Sequence, residues 1–125
     1  MNVRLNHTIV WCRDQQESAG FLTGLLGLAP PVPFGPFHVV ALGNDVSLDF
    51  RTQRGEIATQ HYAFLVEESE FDTIFGRIHE RGLQYWADPT CQQPGQINHH
   101  FGGRGVYFQD PSGHLLEIIT RPYGG

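Results

Sequence analysis

Lysine is absent from this chain, and its eight Lys/Arg positions are all arginines, scattered singly. There is no basic stripe to follow a phosphate backbone, so nucleic acid is not an expected partner. Cysteine is scarce. Cys12 and Cys91 make no Cys-x-x-Cys pair or other framework, so two reduced thiols in an intracellular protein are expected. No apolar run reaches membrane-spanning length and no apolar leader opens the chain, which points to a soluble, cytoplasmic protein with no membrane partner. Charge is sparse too. Charged residues make up 17% against 40% hydrophobic, with a net charge of -5, a balance that belongs to a packed globular chain and not to a disordered one. The 125 residues suit one domain, 1–125, able to bury roughly two-thirds of its unfolded surface.

What the chain does have is turns and a repeated order. Fifteen glycines and eight prolines imply many short elements. Residues 3–11 alternate, with Val3, Leu5, His7, Ile9 and Trp11 on one side, which predicts a strand. Asp14 is placed to cap a helix, with Glu17 at capping-box spacing. Phe21, Leu22, Leu25 and Leu26 give that helix an apolar face, and Gly27 is placed to stop it. Pro30, Pro31, Pro33 and Pro36 rule out a regular central strand there. Two strands then follow, residues 37–42 and 46–51, joined by the turn Gly43-Asn44-Asp45. The order now restarts. A strand is predicted over 60–66, a helix from Glu68 or Ser69 to Gly82 with Phe71, Ile74, Phe75 and Ile78 on one face, and a short strand over 85–87. A long polar loop over 88–103 leads to strands at 105–109 and 114–121 around Asp110-Pro111-Ser112-Gly113, a type I turn sequence, and Pro122 opens a short Gly-rich tail.

The pattern is βαβββ written twice, as modules 1–55 and 56–125. Neither half closes a core alone. The expected fold is α+β, with the two modules forming one curved mixed sheet of eight strands around a cleft, helices on its convex side.

His7 and His61 open the two copies at an offset of 54 residues. Asp49 lies 42 residues after His7 and Glu117 lies 56 after His61; the difference of 14 matches the extra length of the loop over 88–103. Asp49 and Glu117 are therefore candidate equivalents. Glu117 shares a strand face with Leu115 and Ile119, and a lone buried charge costs several kcal/mol. A divalent cation would supply a reason for it. Two neutral imidazoles and one carboxylate, His7, His61 and Glu117, suit Fe2+ or Mn2+, with Zn2+ or Ni2+ also fitting, and leave positions open for a substrate. The structural alternatives are a hydrogen-bonded core histidine and a glutamate paired to Arg104 or Arg121.

The motifs Leu5-Asn6-His7-Thr8-Ile9, the opening His61, Gly105-Val106-Tyr107-Phe108 and Asp110-Pro111-Ser112-Gly113-His114-Leu115-Leu116-Glu117 resemble those of the vicinal oxygen chelate superfamily. That group takes in glyoxalase I, extradiol dioxygenases, fosfomycin-resistance proteins and bleomycin-resistance proteins, and the resemblance covers essentially the whole chain. It implies a glyoxalase-like pair of βαβββ modules and a divalent metal held by His7, His61 and Glu117. It also implies an enzyme that takes a small substrate chelating the metal through adjacent oxygens, by lyase, isomerase or dioxygenase chemistry. The alternative is a metal-free, drug-sequestering protein of the bleomycin-resistance type, against which the intact triad argues. Glyoxalase I has a fourth protein ligand near the position of Asp49. Here the side chain is one methylene shorter than Glu, so Asp49 either reaches the metal through water, acts as an acid/base, or pairs with Arg51 or Arg54. His100, in the long loop, is a candidate proton shuttle, and Tyr107, Arg104 and Tyr123 are candidate substrate-binding residues; the alternative for the loop is a solvated, mobile segment. His114, of opposite parity to Glu117, is expected to be structural. A homodimer is expected, in which modules pair within one chain or between two.

Overall fold

The computed structural model describes residues 1–123; Gly124 and Gly125, the end of the expected tail, lie outside the described residues. The chain divides into two compact units, Met1–Ala58 and a second beginning at Thr59. Among the described residues no helix is long and apolar enough to cross a membrane.

The first unit runs β1 (His7–Cys12), α1 (Gln15–Leu26), β2 (Val32–Phe34), β3 (Phe37–Ala41) and β4 (Ser47–Thr52). Its sheet has the order β1-β4-β3-β2. β1 lies parallel to β4 and the other pairs are antiparallel. A parallel pair needs a long crossover, which α1 and the β2–β3 hairpin supply. β1 begins at His7, later than the alternation predicts. Pairing to β4 starts at His7↔Ser47, so the apolar residues before it find no ladder, and Val3 and Leu5 are exposed. Pro33 sits in β2, an edge strand, where a missing N–H is tolerated.

Parity sets the core. Val10 and Cys12 of β1, Val40 of β3, and Leu48 and Phe50 of β4 are buried, as are Ala19, Leu22 and Leu25 of α1. The buried stripe of α1 also takes in Ser18 and Thr23, while Phe21 and Leu26 of the predicted face stay half-buried. Asp14 caps α1 as predicted, accepting from the backbone N–H groups of Gln16 and Glu17 at 3.0 and 3.1 Å. Gly27 ends the helix in the left-handed conformation at φ 72°, where a Cβ would be strained.

The second unit repeats the order: β5 (His61–Leu65), α2 (Glu68–Glu80), β6 (Tyr85–Trp86), β7 (Gly105–Gln109) and β8 (Leu115–Ile119). Its sheet order is β5-β8-β7-β6, again with the first strand parallel to the last. Phe71, Ile74 and Ile78 of α2 are buried, together with Val106, Phe108, Leu116 and Ile118 of the sheet. Thus the α+β class and the duplicated module are both present. The strands are hydrogen-bonded as two sheets of four, not as the one eight-stranded sheet expected, because the parallel first–last pairing completes each ladder within its own unit.

The registers fix the internal equivalence. Ile9 pairs with Asp49 in β1–β4, and Ala63 pairs with Glu117 in β5–β8. Each carboxylate therefore sits opposite the residue two places after its module's opening histidine. Phe64 lies on the other parity from His61.

Candidate metal centre

Strand alternation puts His61, Glu117 and Tyr107 on one face of the second sheet. Glu117 pairs with Ala63 on one side and with Tyr107 on the other, and His61 shares its face through the register His61↔Leu115. The same alternation sends Val106 and Phe108 into the core and leaves Tyr107 on the face of Glu117.

His61 Nε2 lies 3.0 Å from Glu117 Oε1, and its Nδ1 lies 3.1 Å from the Leu115 carbonyl oxygen. A carbonyl can only accept, so Nδ1 carries the proton. In the neutral ring Nε2 then has a lone pair, aimed at a carboxylate that also only accepts. Two acceptors at this distance need a proton or a cation between them. The pair is satisfied by an imidazolium or by an ion shared between imidazole and carboxylate. Glu117 is 1% exposed, while the His61 side chain is 43% exposed, so the carboxylate is buried behind a solvent-facing imidazole. A backbone carbonyl on the far ring nitrogen is the usual means of holding a ligating imidazole in one tautomer and orientation.

Two tyrosines complete this cluster. The Tyr123 hydroxyl lies 2.7 Å from each Glu117 carboxylate oxygen and donates to the carboxylate. The Tyr107 hydroxyl is 3.1 Å from that of Tyr123, and its ring stacks on His61 at 5.8 Å. Burial pushes the Tyr107 hydroxyl well above the ordinary tyrosine value, helped by its bond to Tyr123 and the nearby Glu117 carboxylate. Burial also raises Tyr123; Glu117 adds to the rise and the Tyr107 bond opposes it. Both groups are hydroxyl donors at neutral pH.

The loop over 88–103 is tied down at several points. Asp88 accepts from the Thr90 hydroxyl at 2.6 Å and from the Gln93 N–H at 2.7 Å. The Thr90 hydrogen bond leads the contacts that hold the Asp88 carboxyl below its ordinary value. Asn98 exchanges backbone bonds with Gly105 at 2.9 and 3.0 Å, and its amide donates to the Ala87 carbonyl at 2.9 Å. Within this loop Phe101 adopts φ 56°, a left-handed conformation that costs a bulky residue about 1–3 kcal/mol. Its ring stacks on Tyr123, with centroids 6.0 Å apart and planes 7° from parallel.

In the first unit the opening histidine is held in a matching way. His7 Nδ1 lies 2.7 Å from the Asn6 side-chain oxygen, which again leaves Nε2 as the lone-pair nitrogen. Asp49 accepts from the Ser47 hydroxyl at 3.1 Å. Among the described residues it has no ion pair with Arg51 or Arg54, and Arg51 instead lies over the Trp11 and Phe37 rings at 5.8 and 5.7 Å. Each unit thus presents a histidine and a carboxylate, residue types that can ligate a divalent metal. Among the described residues no group of three or more His, Cys, Asp or Glu stands together as a ready metal site.

Other sequence candidates lie apart from Glu117. Arg104 does not join it. Its parity is that of the core-facing Val106, and its guanidinium is drawn to α2, donating to Glu68 Oε2 at 2.9 Å and Asp72 Oδ1 at 2.7 Å. It also lies over the Phe71 ring at 4.4 Å, and in this position it anchors α2. His100 opens a short 3-10 turn, His100–Gly102, with its ring 6.5 Å from that of Phe101. His114 is structural: it is buried, and Nδ1 accepts from the Gln60 N–H at 2.9 Å. The Leu115 carbonyl and the contact of Asn6 with His7 were not singled out from sequence. Asn6 carried a signal, an amide directly before the histidine, whereas a main-chain carbonyl carries none.

The match to the family model for the Glyoxalase/Bleomycin resistance protein/Dioxygenase superfamily runs over residues 4–118, and the chain belongs to that superfamily. Within it the chain is similar to the solved structure of Oxidase ChaP-H1, at 64% identity and a TM-score of 0.97 over 99% of this chain and 100% of that one. It is also similar to Oxidase ChaP-H2, at 60% identity and a TM-score of 0.97 over 100% of this chain and 98% of that one. Among curated proteins it is 29% identical over 120 residues to the Glutathione transferase FosA of Serratia marcescens, across 91% of this chain and 78% of that protein.

Proposed function

We propose that the chain is a metal-dependent enzyme of the vicinal oxygen chelate type, with His7, His61 and Glu117 holding one divalent cation, Fe2+, Mn2+, Zn2+ or Ni2+. Its substrate is a small molecule that chelates the cation through adjacent oxygens. The observation that carries this reading is the buried Glu117 carboxylate facing the lone-pair nitrogen of His61, whose tautomer is fixed by the Leu115 carbonyl. When bound, the ion supplies Lewis acidity and, if redox-active, a partner for dioxygen. His7 and His61 contribute neutral imidazole donors, and Glu117 contributes the balancing charge. Tyr107 and Tyr123 stand beside Glu117 as candidate substrate-binding residues, with the Tyr123 proton engaged by the carboxylate. Asp49, held by Ser47, is the candidate acid/base, and His100 is a candidate proton carrier in the loop.

Within this class, oxidative chemistry is favoured over lyase, isomerase or thiol-transfer chemistry. Two proteins named oxidases are similar along the whole chain at 64% and 60% identity, against 29% for the glutathione transferase. A homodimer is part of the reading. The test is elemental analysis of protein prepared without chelators. About one divalent ion per chain is expected, falling sharply in His7→Ala, His61→Ala and Glu117→Ala. Wild-type protein without stoichiometric metal would sink the reading and favour a sequestering protein instead.

A further inference from the structure

The tail after β8 turns back over its own strand. Tyr123, six residues beyond Glu117, brings one hydroxyl to 2.7 Å from both carboxylate oxygens. The terminal torsion of a glutamate is soft, so a carboxylate on a strand has no preferred plane of its own. Here the plane is set, with Oε1 toward His61 Nε2 at 3.0 Å. Hydrophobic burial does not explain the tail's position, since Tyr123 is 41% exposed and Phe101, stacked on it, is 70% exposed. Phe101 nevertheless holds a left-handed backbone at φ 56° while its ring makes that stack. Close by, a Cβ on Gly103 would come within 2.6 Å of Arg121 Cγ and 2.7 Å of Thr120 Oγ1, so loop and tail pass each other with no room for a side chain. The Thr120 hydroxyl also accepts from the Arg104 N–H at 2.8 Å, fixing the start of the tail. Strain in the loop, a forced close approach and the tail's course all converge on one hydroxyl.

We propose that Tyr123 is a positioning residue for Glu117: its hydroxyl sets the carboxylate plane that presents Oε1 beside His61, and Phe101 and Gly103 hold the tail in place to do so. The inference rests on the reading of Glu117 as a metal ligand. The probe is Co2+, titrated into metal-stripped protein and followed by its visible absorption. Tyr123→Phe keeps the ring on Phe101 and removes only the hydroxyl. It is expected to weaken Co2+ binding about 10–100-fold, the range for loss of a group that orients a metal ligand, and to change the visible band. Phe101→Leu is expected to weaken binding in the same direction by a smaller factor. Tyr85→Phe, whose hydroxyl lies 3.3 Å from His79, is the control and should leave both readouts unchanged. If Tyr123→Phe binds Co2+ with wild-type affinity and spectrum, the positioning role is overturned while the metal reading stands. An equal loss in Tyr85→Phe overturns it as well, by showing general loosening of the unit. If wild-type protein takes up no Co2+ at all, the ligand reading of Glu117 fails and the inference falls with it.

Discussion

Glu117 is a charge that the apo chain has reason not to keep. It is buried, and one of its oxygens faces an imidazole nitrogen that carries no proton in the neutral ring. Glu117→Gln keeps the shape, removes the buried charge, and gives the side chain an N–H that can donate to His61 Nε2. Its apo form is therefore expected to melt no lower than wild type in chelator, while its metal content collapses. A lower melting temperature with metal retained would show the carboxylate to be structural. The placing of His61 and Glu117 on one strand face was legible at this scale because strand parity is a property of residue order. Arg104 was not. Its parity with Val106 sets its side of the sheet, but the Glu68 and Asp72 carboxylates that hold it on α2 are distant in sequence. The tail was a candidate through Tyr123, but a return course that brings it onto Glu117 leaves no mark in local sequence.

Among the elements, α1 depends on its ends. Asp14 satisfies two backbone donors that the helix cannot, and Asp14→Ala is expected to lower stability by about 1 kcal/mol, read from urea unfolding, with metal content unchanged. α2 has a different tie. Arg104 joins it to the start of β7, so Arg104→Ala is expected to lower the melting temperature and leave Co2+ affinity as in wild type. Loss of Co2+ affinity in that variant would show that Arg104 also supports the metal site. Turn residues and alternation made β3 to β8 legible to within a residue or two, while β2, an edge strand holding Pro33, was missed among the prolines. β1 was overextended because alternation before His7 continues where no partner strand runs beside it. The buried side of α1 was read one residue type too narrowly: Ser18 and Thr23 face inward among the apolar groups, which a count of hydrophobic residues misses.

For the whole molecule, the doubled order was legible and the sheet was not. Periodicity counts strands, but which strands pair is decided by the long-range register. Alkaline stability is a property of the molecule as a whole. Tyr62, Tyr107 and Tyr123 are all raised above the ordinary value, Tyr62 by burial and then by the Asp110 charge. A group raised in this way keeps its proton after the unfolded chain has released it. Its contribution is complete below about pH 10, the ordinary tyrosine value, and is lost as pH climbs through the folded value. Stability is thus expected to fall above pH 10, with the absorbance of these phenolates appearing together with unfolding. Phenolates that titrate at the ordinary value in a chain still folded would contradict it. For the expected homodimer, sedimentation equilibrium should give twice 14.1 kDa, and a monomer at high concentration would reject it.

The parallel pairing of first and last strands also has a consequence for synthesis. His61 and Glu117 are 56 residues apart and meet only when β8 lies down beside β5. A growing chain displays the imidazole long before the carboxylate that completes the pair exists, and closing so distant a contact is a late, slow event in folding. Assembly of the pair therefore marks a finished second unit, and a nascent or truncated chain that stops before β8 has no such pair.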